Sequence, residues 1–221
     1  MKIEDSTQNV FWEKEHKFRQ FDHPIVSFFA KQRIDYIKKF IDISEMENIF
    51  DLGCGSGFST FLLDKEVPGK VIGGDRSMQM LSFHPMKDKI INLDAYKLPF
   101  KDEQFDLVNI WEVLHHIENP VDILSEIRRV TKKYIVIFEP NSMNPAQFVF
   151  ALVDKPHRWV LRFRKNYIFD IVKKAGFGEI IHYSKVGWIF PNKTPAVMFA
   201  ILKKFKFDFP LGISQILIAK K

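Results

Sequence analysis

Cysteine is almost missing from this chain: Cys54 is the single one among 221 residues. A lone thiol excludes an internal disulfide and any cysteine-rich metal centre. No run of about 18 uncharged apolar residues occurs, so no membrane-spanning helix is expected. The opening residues Met1-Lys2-Ile3-Glu4-Asp5-Ser6 are polar and acidic, unlike a secretory leader. Repeats and low-complexity tracts are missing as well. These absences lead to the expectation of a cytoplasmic globular protein. Hydrophobic residues form 46% of the chain, enough for a full core. The length suits one α/β domain over residues 1–221 with a modest elaboration.

What is present begins with Asp51-Leu52-Gly53-Cys54-Gly55-Ser56-Gly57, entered from Asn48-Ile49-Phe50. A short apolar strand running into alternating glycines lets the backbone approach a ligand, because glycine has no Cβ and accepts positive φ. Phe58 to Lys65 reads as the helix that follows, with free N–H groups at its start. A dinucleotide fingerprint, Gly-x-Gly-x-x-Gly, would place glycine where Phe58 stands. Asp51 at the strand end would also repel a pyrophosphate. A positively charged cofactor without phosphate suits the loop better. Cys54 reads as a small side chain filling the strand–helix junction.

The loop resembles the first motif of class I S-adenosylmethionine-dependent methyltransferases, (Asp/Glu)-x-Gly-x-Gly-x-Gly. Later segments extend the resemblance in order. Lys70 to Asp75 reads as a second strand ending in an acid, about 20 residues past the loop. Arg76-Ser77-Met78-Gln79-Met80-Leu81 is similar to the family's next helix opening, and Ile90 to Ala95 reads as a third strand ending in Asp94. Leu98-Pro99-Phe100, strand four from Phe105, and strand five over Tyr134–Glu139 complete the match, which spans about Phe50 to Pro140. The closest branch is the small-molecule one, methyltransferase type 11, which includes quinone-biosynthesis enzymes.

The resemblance implies an α/β, Rossmann-like three-layer sandwich. Its seven-stranded sheet would be mostly parallel, with a terminal antiparallel strand, N-terminal helices and an inserted lid. Residues 1–46 would form a helical cap, 47–140 the cofactor-binding core, and 141–221 the lid and last strands. Helical spacing of apolar residues over 8–43, broken near His23-Pro24, predicts one or two helices in the cap. A helix over Asn166–Ala175 and strands over Gly178–Tyr183 and Ile213–Ala219 are predicted after it. By resemblance, Asp51, Leu52, Gly53, Cys54, Gly55 and Gly57 hold the methionine end of S-adenosylmethionine, with Asp51 near its amino group. Asp75 takes the ribose hydroxyls, and Arg76 or Met80 lies against the adenine. Asp94 binds the adenine amine, Ala95 offers a backbone N–H, and Ile110 and Trp111 border the methionine tail. The bland reading of Asp75 and Asp94 is a turn or helix cap.

Charge is uneven. From Asp154 onward there are 14 Lys/Arg against 4 Asp/Glu, whereas residues 1–153 hold 19 against 23. Read as a helix, His157–Lys165 places Trp159 and Phe163 on one face, and Arg158 and Arg162 on another. This basic third is a solvated surface, a cover favouring an anionic or lipid-like small molecule, or a peripheral contact with anionic membrane or RNA. Nucleic acid is the weaker partner, because no RNA-binding module is appended. Strand four continues Asn109-Ile110-Trp111-Glu112, not the Asn/Asp-Pro-Pro-Tyr of amino-methylating DNA enzymes. Oligomeric state is not legible.

Methyl transfer from a sulfonium is an in-line displacement, accelerated largely by positioning. A base is needed only if the acceptor must lose a proton. The candidates are Glu112, His115 and His116, which a helical turn would bring together at i+3 and i+4. The triplet would also offer metal ligands. However, the related quinone-biosynthesis O-methyltransferases have Glu-x-x-Glu-His there, and His115 replaces the second glutamate, so no metal site is expected. Trp12 and Phe18 are candidates to cover the cofactor. The leading expectation is a methyltransferase acting on a small molecule. The alternatives are an RNA or protein methyltransferase docking through the basic third, and a cofactor-binding accessory protein without turnover.

Overall fold

The computed structural model describes residues 18–221. Trp12, and the apolar positions of the first predicted helix that precede Phe18, lie outside the described residues. Seven strands form one sheet in the order β3-β2-β1-β4-β5-β7-β6. They are β1 Asn48–Leu52, β2 Lys70–Asp75, β3 Ile90–Asn92, β4 Phe105–Trp111, β5 Thr131–Pro140, β6 Glu179–Val186 and β7 Ser214–Lys220. Strands β1 to β5 run parallel. β7 is antiparallel to both β5 and β6 and lies between them. The fold class expected from the sequence is therefore the one observed.

The described helices are α1 Pro24–Ile37, α2 Phe58–Glu66, α3 Met78–Ser82, α4 Pro120–Val130, α5 Pro145–Val153, α6 Lys165–Lys174 and α7 Ala196–Leu202. α4 shows why such segments coil and dock. Pro120 sits at its first turn, where the missing N–H has no intrahelical partner to lose. Asp122 faces the positive N-terminal end of the dipole, and Arg128 and Arg129 the negative end. Ile123, Leu124, Ile127 and Val130 recur at helical spacing and are fully buried. Truncating Ile127 to alanine would cost about 2–5 kcal/mol. α6 stops where Gly176 takes φ +90°, a conformation that strains a residue with a Cβ. Phe177 N–H then reaches back to Val172 O, and the Phe177 ring is buried.

Side chains alternate across the sheet into two apolar layers. Phe50, Val108, Ile110 and Ile135 pack with α4 and α6. Ile49, Leu107, Trp111 and Phe138 pack with α1 and α2 on the other face. The chain leaves β1 toward β2 on one side, while β4 pairs on the other. That reversal opens a crevice at the carboxyl ends of β1 and β4, where open α/β sheets bind ligands.

Two sequence expectations need correction. The third strand ends at Asn92, before Asp94, because Leu93 N–H and the Asn92 amide both turn back to Asp75 O. The basic segment is a 3-10 stretch, Lys155–Arg162, not a helix continuing to Lys165. Its tighter winding stacks the Arg162 guanidinium 4.6 Å from the Trp159 ring centre. Phe163 falls beyond the stretch and is buried, while Trp159 stays partly exposed, so the two do not share a helical face.

Candidate active site

The glycine loop is held in shape from below by Asp51. This carboxylate is fully buried. Its Oδ2 accepts from Ser59 Oγ and Thr60 Oγ1, each at 2.6 Å, and its Oδ1 accepts from Asn109 Nδ2 at 2.7 Å. Burial pushes its pKa up, and these three donors act against that shift. Asp51 thus ties β1 to α2 and β4 through its side chain. Leu52 and Ile110 are buried in one apolar layer, which leaves only their backbones for a ligand. Cys54 is buried too, and burial beside Asp51 and Asp75 pushes its thiol up, so it is inert.

Above Asp51 the loop is pinned by its neighbours. Gly53 N–H and Cys54 N–H donate to Gly74 O at 2.7 and 3.2 Å. Gly53 has φ +75°, and a Cβ there would lie 2.1 Å from Val113 Cγ2, so the chain after β4 presses on this glycine. Asp75 completes the cradle: its Oδ2 accepts from Gly55 N–H at 2.9 Å and its Oδ1 from Ser77 N–H at 2.8 Å. Burial raises the Asp75 pKa, opposed by those backbone donors and by Arg76 N–H. Three backbone donors on four lone pairs leave the carboxylate one acceptor position. Met80 is buried, with its Cε 3.4 Å from where a Gly55 Cβ would stand, and Arg76 is exposed. Asp94 is exposed and accepts from Tyr96 N–H at 3.0 Å; Ala95 is partly buried beside the core.

The end of β4 departs from the sequence reading. Glu112 does not start a helical turn: it holds φ +55°, with its N–H bonded to Phe138 O at 2.7 Å. Its carboxyl is bonded by Ser214 and lies in the field of Arg33 instead of the histidines, and burial, with the nearby Glu139, raises its pKa to about 7 against the attraction of Arg33. Arg33 is buried, 3.5 Å from the Phe29 ring centre, and donates to Ser214 Oγ at 2.8 Å. Burial lowers its pKa to about 9.

His115 and His116 follow in a 3-10 turn, Leu114–His116, with ring centres 3.9 Å apart. The carboxylate partner of His115 is Glu139, at the end of β5, with Nδ1 to Oε2 at 2.7 Å. Glu139 is fully buried and also accepts from the N–H groups of Val113, Leu114 and His115. Burial pushes the Glu139 pKa up and the His115 pKa well down. His157, from the 3-10 stretch after α5, lies 5.1 Å from the His116 ring and 5.7 Å from the His115 ring. Its Nδ1 is 2.9 Å from Asp154 Oδ2, and burial lowers its pKa. Glu139 and His157 were absent from the sequence-derived set of candidates. A glutamate closing the strand beside β4 was the available signal for the first, and nothing local marked the second.

The residues present fit S-adenosylmethionine. Helix α2 starts at Gly57 with no side-chain cap, leaving first-turn N–H groups for a carboxylate. Trp111 Nε1 is a buried donor with no hydrogen-bond partner among the described residues. The acids Asp75 and Asp94 lie at or just past successive strand ends and suit hydroxyl and amine donors. Residues 50–137 match the methyltransferase domain family. A demethylmenaquinone methyltransferase of Lactococcus lactis is 30% identical over 189 residues, covering 70% of this chain and 74% of that protein. The chain belongs to the class I S-adenosylmethionine-dependent methyltransferases.

Other likenesses agree with this membership. An uncharacterised methyltransferase of Schizosaccharomyces pombe is 39% identical over 114 residues, 45% of this chain; the match spans only 39% of that relative's length. A methyltransferase structure from Archaeoglobus fulgidus shares the fold, with TM-score 0.64 at 23% identity over 88% of this chain and 94% of that one. S-adenosylmethionine is the cofactor. When bound it supplies an electrophilic methyl group. Among this chain's residues, Trp111 sits among the rings of Phe29, Phe58 and Phe138, and the histidine turn follows the carboxyl end of β4.

Proposed function

We propose that this methyltransferase transfers its methyl group to a small amphiphilic acceptor, with an apolar body, taken from an anionic lipid surface. The observation that carries the reading is the exposed apolar surface after β5 and β6. α7 buries none of its residues: Val197 is 77% exposed, and Met198 and Ile201 are also open. Lys203, Lys204 and Lys206 follow directly. α5 likewise exposes Phe148, Val149, Leu152 and Val153. Apolar side chains beside lysines suit an anionic bilayer better than water or a duplex. The quinone in the name of the Lactococcus lactis relative points the same way. No described helix is long and apolar enough to cross a membrane, so the contact proposed is peripheral.

Residues 141–213, between β5 and β7, act in this reading as the acceptor-side cover. His115 or His116 would accept a proton if the acceptor is a hydroxyl. Incubation with methyl-labelled cofactor and fractionated cell extract tests the proposal. Label should enter the lipid-extractable fraction, and label found only in RNA or protein would overturn it.

A further inference from the structure

We propose that His115, His116 and His157 bind one zinc-type divalent ion. Each offers one ring nitrogen, and the three atoms lie within 4.8 Å of one another. A tetrahedral zinc with Zn–N bonds of about 2.0–2.1 Å needs nitrogens roughly 3.3 Å apart. Modest rotation of the three rings closes that difference.

The surroundings carry the argument beyond proximity. Imidazoles that ligate metals almost always give their other N–H to a carboxylate or carbonyl, which fixes tautomer and ring direction. Two of the three rings have that partner already: Glu139 Oε2 stands 2.7 Å from His115 Nδ1, and Asp154 Oδ2 stands 2.9 Å from His157 Nδ1. With Nδ1 of His115 engaged by Glu139, its Nε2 is the nitrogen that would meet a metal. Glu139 is itself locked by three backbone N–H groups. Behind His157, Asp154 favours a cation and outweighs the field of Lys193 on that ring.

The ligand set is not the triplet 112/115/116, which the sequence reading weighed and set aside as a metal site. Glu112 is turned to Arg33 and Ser214, and the third corner comes from a separate 3-10 stretch. Three nitrogen ligands leave a fourth position open, the pattern of catalytic rather than structural zinc. The ion would also tie the end of β4 to the segment after α5. Binding of the ion does not depend on the acceptor proposed above; a role for its open position in methyl transfer does rest on that reading.

The test uses tag-free full-length protein stripped with chelator. Zinc should bind with one-to-one stoichiometry by chelator competition, and cobalt(II) substituted for it should give visible absorption of tetrahedral intensity. His157→Gln should weaken binding at least roughly tenfold, and Glu139→Gln by about 10- to 100-fold. Circular dichroism and cofactor binding confirm that each variant is folded. Asp154→Asn replaces Glu139→Gln if the latter fails to fold. No binding at millimolar zinc, or binding left unchanged by His157→Gln, overturns the site. Either result leaves the methyl-label experiment unaffected, so the two proposals fail separately.

Discussion

Asn109 on β4 donates its side-chain N–H to Asp51 on β1 over 2.7 Å, in a contact sealed from solvent. Together with Ser59 and Thr60, it gives one carboxylate three donors and makes it the anchor of the glycine loop.

Asp51→Ala removes that anchor and leaves three buried donors unpaired. A stability loss of about 3–5 kcal/mol is expected, measured by urea denaturation. If Asp51 instead acted by touching the cofactor, affinity would fall while stability stayed at the wild-type value.

Asp75 accepts backbone N–H groups from Gly55, Ser77 and Arg76 and keeps one acceptor position for a ligand. Asp75→Ala should weaken binding of S-adenosylhomocysteine about 10- to 150-fold, the range for hydrogen bonds to a charged group. Calorimetric titration checks this. Asp94→Ala is the companion measurement: unchanged affinity there would reduce Asp94 to a cap for Tyr96 N–H.

Glu112 has a folded-state pKa of about 7 against an ordinary value of 4.5. The stability gained by holding that proton is complete below pH 4.5 and is lost as pH rises through 7. Glu112→Gln cannot titrate. Its stability relative to wild type should therefore climb by on the order of 3 kcal/mol across that window, at 1.36 kcal/mol per pKa unit. Denaturation of both proteins at several pH values reads the difference, in which other titrating groups cancel. A constant difference would show that Glu112 is ionised throughout.

The strand and helix order was legible because buried parallel strands read as apolar runs and their terminal acids are spaced by the crossover units. β7's place inside the sheet was legible only through family resemblance. The candidate site divides differently. Asp75 and the glycines form a local cradle, and sequence spacing reveals it. The grouping of Glu112 with His115 and His116 failed because it assumed a helical turn, whereas the positive φ at Glu112 sends its carboxyl toward Arg33. Glu139 is 24 residues from His115, and only strand pairing brings them together. His157 was hidden by reading a 3-10 stretch as a helix.

The position of β7 also bears on how the molecule is made. Among the described strands β6 ends the sheet and pairs with β7, which follows it in the chain, while Val186 also bridges to Asp208. While a ribosome is still extending the protein toward Ser214, β6 has only the Val186–Asp208 bridge at its far end to pair with, and the outer edge of β5 stays bare. The sheet therefore closes late, as one non-local event that inserts Ser214–Lys220 between two waiting strands. A nascent chain stalled before Ser214 would expose the edge of β5 and most of the β7-facing edge of β6, which makes it a substrate for chaperones or for aggregation.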